Sequence, residues 1–209
     1  SVRHIVQDKN GFLWLGTFSG LNRFDGYQIK SFMSSSSVDN TIPNNDITAL
    51  EYDEESNNLW IGTRNGLTLL DIDTQEFTTF LPNAKDAHSL QDHEIRSVHI
   101  DRFNQIWVGT KNKGLFVFHQ DENIFEKIEL QGFEYIKEIF EDSKGQLWIG
   151  SYGTAGVAKI TLDNVANPVK IDTYTLNVPN SKEINPYVNF IYQNSNLYIF
   201  VGNRQGLYK

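Results

Sequence analysis

Six side chains in this 209-residue chain are of types suited to holding a ligand: the aromatics Phe18 and Tyr152 and the cations Arg64, Arg96, Lys111 and Arg204. An aromatic face accepts the apolar face of a sugar ring, and guanidinium or ammonium groups hold carboxylate or sulfate. Five of the six sit in short connections that follow a recurring aromatic segment. Arg96 instead takes the second position of an apolar segment, as Arg3 and Lys137 do in two others. The competing reading leaves these cations solvated at loop tips, or paired with Glu51, Glu138 or Glu183.

Catalytic chemistry is thinner. Glu51, Glu94, Glu134 and Glu138 could furnish the two carboxylates that a glycoside hydrolase sets roughly 5–10 Å apart, but none lies in a recognisable motif. His4, His93 and His99 read as hydrogen-bonded strand or loop residues, and Tyr174, Tyr187 and Tyr192 as packing. Asp8-Lys9-Asn10-Gly11 begins like a calcium loop, yet Ser19 stands where the bidentate Glu is required, so no metal is expected. Asp8, Asp101 and Asp142 read instead as side-chain caps of tight turns. Gly-rich phosphate loops, Cys/His spacings and a Gly-x-Ser-x-Gly elbow are missing, so no cofactor is expected either.

The elements that must position these residues repeat. Leu13-Trp14-Leu15-Gly16-Thr17 returns as Leu59-Trp60-Ile61-Gly62-Thr63, Ile106-Trp107-Val108-Gly109-Thr110 and Leu147-Trp148-Ile149-Gly150-Ser151, with a worn copy at Ile199-Phe200-Val201-Gly202-Asn203. The spacings between the aromatics are 46, 47, 41 and 52 residues. A period of that length with strand-like content is the mark of a propeller blade of four strands. An apolar segment ending near an Asp precedes each core (Ile47 to Asp53 is one), a Gly-Leu or Gly-Val pair follows it, and Phe77-Thr78-Thr79-Phe80 typifies the outer strand.

The expected fold is therefore all-β: a β-propeller with four complete blades, approximately 1–40, 41–87, 88–130 and 131–180, and an incomplete fifth at 181–209. It reads as one domain and as a fragment of a larger propeller of about seven blades. Trp14, Trp60, Trp107, Trp148 and Phe200 are expected to fill the gaps between blades, with the Gly after each admitting a close backbone or a sharp turn. The loops carrying Phe18, Arg64, Lys111, Tyr152-Gly153-Thr154-Ala155 and Arg204-Gln205 would gather on one face.

Composition narrows the partners. The chain carries 18 Lys and Arg against 26 Asp and Glu, net −8, with no basic stripe, which argues against nucleic acid. No apolar run of spanning length occurs, so membrane attachment would need segments outside this chain. Cys is absent, which suits an extracytoplasmic protein without disulfides as well as a cytosolic one.

With the whole repeat in view, the chain resembles the two-component regulator propeller repeats. Ile5-Val6-Gln7-Asp8-Lys9-Asn10-Gly11-Phe12-Leu13-Trp14-Leu15-Gly16-Thr17 and Gly20-Leu21-Asn22-Arg23-Phe24-Asp25 carry the resemblance, with the linkers Thr41 to Ile47 and Ser89 to Ile95. The resemblance implies the non-catalytic sensor region of a periplasmic, inner-membrane signalling protein. Histidine kinase, response regulator or diguanylate cyclase activity would lie outside this chain. It further implies a small-molecule ligand, an oligosaccharide, with the remaining blades or a second propeller of the same protein as partners. Two alternatives stand beside it: a five-bladed glycoside hydrolase, and a protein-binding scaffold whose unfinished edge makes a homodimer.

Overall fold

The computed structural model describes residues 1–153, 155–163, 167–176, 187–204 and 206–209. Glu183, Thr154 and Gln205, named above as an ion-pair partner and as loop residues, lie outside the described residues. The chain divides into two compact units, 1–98 and 99–209.

The first unit holds two four-stranded antiparallel sheets. One runs β1 (Val2–Gln7), β2 (Leu13–Thr17), β3 (Gly20–Phe24) and β4 (Ile29–Phe32); the other runs β5 (Ile47–Asp53), β6 (Asn58–Thr63), β7 (Gly66–Asp71) and β8 (Phe77–Phe80). A third sheet is formed by β9 (Ile95–Ile100), which spans the division between the units, with β10 (Ile106–Thr110), β11 (Leu115–His119) and β12 (Ile124–Ile128). In the second unit, β13 (Ile136–Glu141), β14 (Gln146–Ser151), β15 (Val157–Leu162) and β16 (Pro168–Tyr174) make a fourth sheet. The last has three strands: β17 (Phe190–Gln193), β18 (Ile199–Asn203) and β19 (Gly206–Tyr208). The fold is a β-propeller of four complete blades and an incomplete fifth.

In the first four blades the first strand turns into the second through an Asp, and in the fifth through Asn194. The third residue beyond that Asp adopts a left-handed conformation: Gly11 (φ 86°), Asn104 (φ 61°) and Gly145 (φ 74°). Gly and Asn are the residues that tolerate it. Asp8, Asp101 and Asp142 cap these turns, each accepting two backbone N–H groups at 2.9–3.0 Å through Oδ1. In the second blade the turn is one residue longer and the left-handed residue is Asn57.

Packing follows the aromatic column. In the first unit Trp14 is buried with Ile42, Ile47, Leu50, Leu59 and Ile61 of the next blade, and its ring lies 5.7 Å from Phe32. In the second unit Trp107 is buried with Ile136, Ile139, Leu147 and Ile149. Trp148 is half-buried against Val157, Val188, Ile191 and Val201, and Phe200 is half-buried.

The Gly two residues after Trp works differently from the expectation of a close backbone or a turn. A methyl at Gly16 would come within 2.8 Å of Ile47 Cγ2, at Gly62 within 2.8 Å of Ile95 Cγ2, and at Gly150 within 2.5 Å of Val188 Cγ1. Each Gly is a socket for the β-branched side chain that begins the next blade. The conversion of a bare Cα into a socket is a packing device, since interiors tolerate no extra methyl.

Candidate functional site

The connections between second and third strands are held in one way. Thr17, Thr63 and Thr110 donate their Oγ1 hydrogens to the carbonyls of Gly20, Gly66 and Gly114 at 2.9–3.0 Å. The N–H groups of those three Gly residues donate to the carbonyls of Asn45, His93 and Glu134 at 2.7, 2.6 and 2.9 Å. The loop tips are thereby tied to the linker entering the following blade. The next residue in each linker is Asp46, Glu94 or Tyr135, directly before the β-branched residue that begins a first strand; Tyr187, before Val188, is the fourth of the set.

In the first unit this placement builds an ionic ladder. Arg3 lies over the Phe18 ring, 3.4 Å from Cζ to centroid, and donates to Asp46 at 2.8 Å. Arg64 pairs with the other Asp46 oxygen and reaches Glu94 at 3.3 Å, and Arg96 donates to Glu94 at 2.8 Å. Three guanidinium groups thus alternate with two carboxylates that are mostly shielded, with side-chain exposures of 16% and 15%. Asp46 and Glu94 are thus acidic partners of Arg3, Arg64 and Arg96 that the sequence did not single out for that role. Glu94 spends its carboxylate on two arginines, and His93 shares Nδ1 with the Asn65 side chain at 3.1 Å.

In the second unit the same repeat position carries aromatics. The Tyr152 ring lies 5.1 Å from Tyr135 and 4.6 Å from Tyr187, the latter at an interplanar angle of 21°. Tyr152 N–H donates to the Tyr135 carbonyl, and Val188 N–H to the Ser151 carbonyl, both at 2.9 Å, so backbone bonds fix the stack from either side. Arg204 is exposed and donates to the Tyr152 hydroxyl at 3.3 Å. Lys111 is half-buried in the turn after β10.

Of the six residues singled out by type, Arg64 and Arg96 meet at Glu94, and Phe18 joins them through Arg3. Tyr152 and Arg204 meet in the second unit. Sequence reasoning missed Asp46 and Tyr135 and set Tyr187 aside as packing. Asp46 and Tyr135 each directly precede the first strand of their blade, and Tyr187 lies three residues before β17. No group of His, Asp and Glu able to hold a metal ion occurs among the described residues, and none of their helices is long and apolar enough to cross a membrane.

One more cluster stands apart. Glu141 accepts Arg102 Nε–H at 2.6 Å and the Arg102 backbone N–H at 3.0 Å, with His99 Nε2 at 3.7 Å. Burial alone would raise its carboxyl, but these bonds outweigh it and hold Glu141 below the ordinary carboxylate range.

Four-stranded antiparallel blades, with Trp14 and Trp107 buried against the following blade and Gly16, Gly62 and Gly150 receiving its leading β-branched side chain, define a β-propeller. Within that class, the model of the two component regulator propeller family matches residues 1–19, 41–65 and 132–153. In structure it is similar to the extracellular domain of the hybrid two component system BT3049 from B. thetaiotaomicron, with a TM-score of 0.81 and 25% identity over 99% of this chain and 28% of that one. It is also similar to virginiamycin B lyase from Staphylococcus aureus (TM-score 0.69, 13% identity, 96% of this chain and 62% of that one). A streptogramin B lyase is alike to the same degree (TM-score 0.69, 16% identity, 96% of this chain and 61% of that one). The lyases share the fold. The chain spans less than two thirds of the length of each of these proteins. No curated protein matches it in sequence.

Proposed function

We propose that this chain is part of the extracytoplasmic, non-catalytic sensor region of a two-component signalling protein, and that it binds an oligosaccharide. In this reading the region stands in the periplasm, is anchored in the inner membrane by other segments, and passes occupancy to a kinase or cyclase output domain. The observation that carries the reading is the likeness, along nearly the whole chain, to the extracellular domain of a hybrid two component system. The rim supports it chemically, since aromatic rings beside guanidinium groups suit a polyhydroxylated ring with anionic substituents.

The test is a thermal-shift screen against neutral, uronic and sulfated oligosaccharides, with the sugars analysed afterwards. An upward shift with one class and intact sugar is the expected result, because a ligand bound only by the folded state raises its stability. Cleaved sugar would turn the reading toward a glycoside hydrolase, and no shift with any class would count against this chain as the sensing surface.

A further inference from the structure

We infer that Asn10 and Gly11 form a self-modifying site in the first blade, at which the Asn10 side chain deamidates through a cyclic imide and leaves aspartate and isoaspartate at position 10. The chemistry needs only water and is independent of any sensed ligand.

The sequence contains Asn-Gly twice, at Asn10-Gly11 and Asn65-Gly66. Asn is among the thermolabile residues, and before Gly it is at its most reactive. The Gly nitrogen carries no shielding side chain and is tethered within reach of the Asn Cγ, so the attack closes a five-membered ring. A bond forms from that nitrogen to Cγ, the Cγ–Nδ2 bond breaks, and Nδ2 leaves as ammonia with the Gly amide proton. Water then opens the imide. Opening at the side-chain carbonyl gives aspartate; opening at the main-chain carbonyl gives isoaspartate, whose main chain runs through Cγ. Either product carries a new negative charge.

The fold treats the two pairs differently. Asn10 is exposed in the turn between β1 and β2, and a methyl on Gly11 would lie 3.8 Å from Gln7 Nε2, in ordinary contact. The Gly11 N–H donates to the Asp8 carbonyl at 2.9 Å, a bond internal to the turn, so opening that one turn frees the nucleophile. Asn65 is half-buried, with its side-chain oxygen 3.1 Å from His93 Nδ1. The Gly66 N–H donates to the His93 carbonyl at 2.6 Å, and a methyl on Gly66 would lie 2.7 Å from Leu81 Cδ2 and 2.9 Å from the Phe80 carbonyl oxygen. Ring closure at Asn65 therefore requires the linker to the next blade to come away, whereas at Asn10 it requires one exposed turn to open. The equivalent turns after Asp101 and Asp142 carry Phe103-Asn104 and Lys144-Gly145 at these two positions. Conversion has a structural consequence. Asp8 Oδ1 accepts the N–H groups of Asn10 and Phe12, and Oδ2 accepts Trp14 Nε1–H. Isoaspartate lengthens the main chain between those two N–H groups and sets a charge beside the Asp8 carboxylate, which loosens the hold on Trp14.

The experiment holds the whole folded chain in warm, mildly alkaline buffer and follows both Asn residues by peptide mass mapping and by labelling with an isoaspartate-specific methyltransferase. Wild type in urea and folded Asn10→Gln are run beside it. In the folded chain position 10 is expected to convert at least about tenfold faster than position 65, and in urea the two should convert at similar rates. Asn10→Gln should lose the isoaspartate label of the folded protein, because its longer side chain must close a larger ring. The converted chain should melt below the fresh one. Retention of both amides in the folded chain while both convert in urea would overturn the site, as would equal conversion of Asn10 and Asn65 in the folded chain. Coincident melting of converted and fresh chains would overturn the loosening at Trp14.

Discussion

Asp101 and Trp107 are joined by a hydrogen bond of 2.8 Å between Oδ2 and the indole Nε1–H, while the other Asp101 oxygen caps its turn through the N–H groups of Phe103 and Gln105. One carboxylate thus fixes both the turn and the orientation of the ring that keys the blade into its neighbour. Asp8 holds Trp14 at 2.8 Å and Asp142 holds Trp148 at 2.9 Å in the same way. In the second blade the longer turn diverts Asp53 Oδ2 to the Ser56 hydroxyl at 2.6 Å.

Replacing Asp101 by Ala removes the cap and leaves a buried indole N–H without its acceptor. The expected cost is about 3 kcal/mol, from one unsatisfied buried donor and two lost turn bonds. Urea unfolding measures it. A loss below about 1 kcal/mol would mean that the carboxylate caps the turn without supporting the ring.

The repeat made much of this legible. Trp and Asp recur in four blades and Gly in all five at nearly fixed offsets, each with one job per blade, so the copies average out the noise of any single segment. The fourth blade was expected complete over 131–180, but its fourth strand, β16, carries a weaker signal than the others. It begins at Pro168 and is largely exposed, so it carries no alternation to read. The rim was only half legible. Arg and Tyr advertise themselves by type, but their partners Asp46 and Glu94 are recognised only once the Gly-to-linker hydrogen bonds show which residue faces which loop tip.

Two glycines separate backbone strain from steric exclusion. Gly26 has φ 97° and open space where a Cβ would be, so Gly26→Ala should cost about 1 kcal/mol, the conformational penalty alone. Gly156 has φ 83° and a methyl there would sit 2.4 Å from the Tyr174 carbonyl oxygen, part of the backbone. Gly156→Ala must also push β15 and β16 apart, and about 3 kcal/mol or more is expected. Equal denaturation midpoints for the two variants would refute the close approach at Gly156.

Arg64 is the middle cation of the ladder and 45% exposed at its side chain. Its removal leaves Asp46 with Arg3 and Glu94 with Arg96, so neither carboxylate is stranded. Arg64→Ala should therefore cost no more than about 1 kcal/mol, and the difference from wild type should shrink as salt is raised from low concentration to about 1 M. A loss of several kcal/mol, or one indifferent to salt, would show instead that Arg64 is a packing element.

Acid should act through Glu141. Burial disfavours its charge, but the nearby His99 imidazole and the hydrogen bonds from Arg102 more than compensate, so its carboxyl releases its proton more readily in the folded protein than in the unfolded chain. Between the two pKa values the unfolded state therefore binds more protons, and stability rises with pH. The contribution is complete above the ordinary carboxylate range and disappears as pH falls through the lowered folded value. Glu141→Gln abolishes that titration. Wild type should be more stable than the variant by about 1 kcal/mol at neutral pH, with Arg102 partly in solvent, and the two should converge by about pH 3. Thermal melts of both proteins across that range give the curves. If they run parallel, the hydrogen bonds to Glu141 do not favour its ionised form, and the His99–Glu141–Arg102 cluster contributes through packing alone.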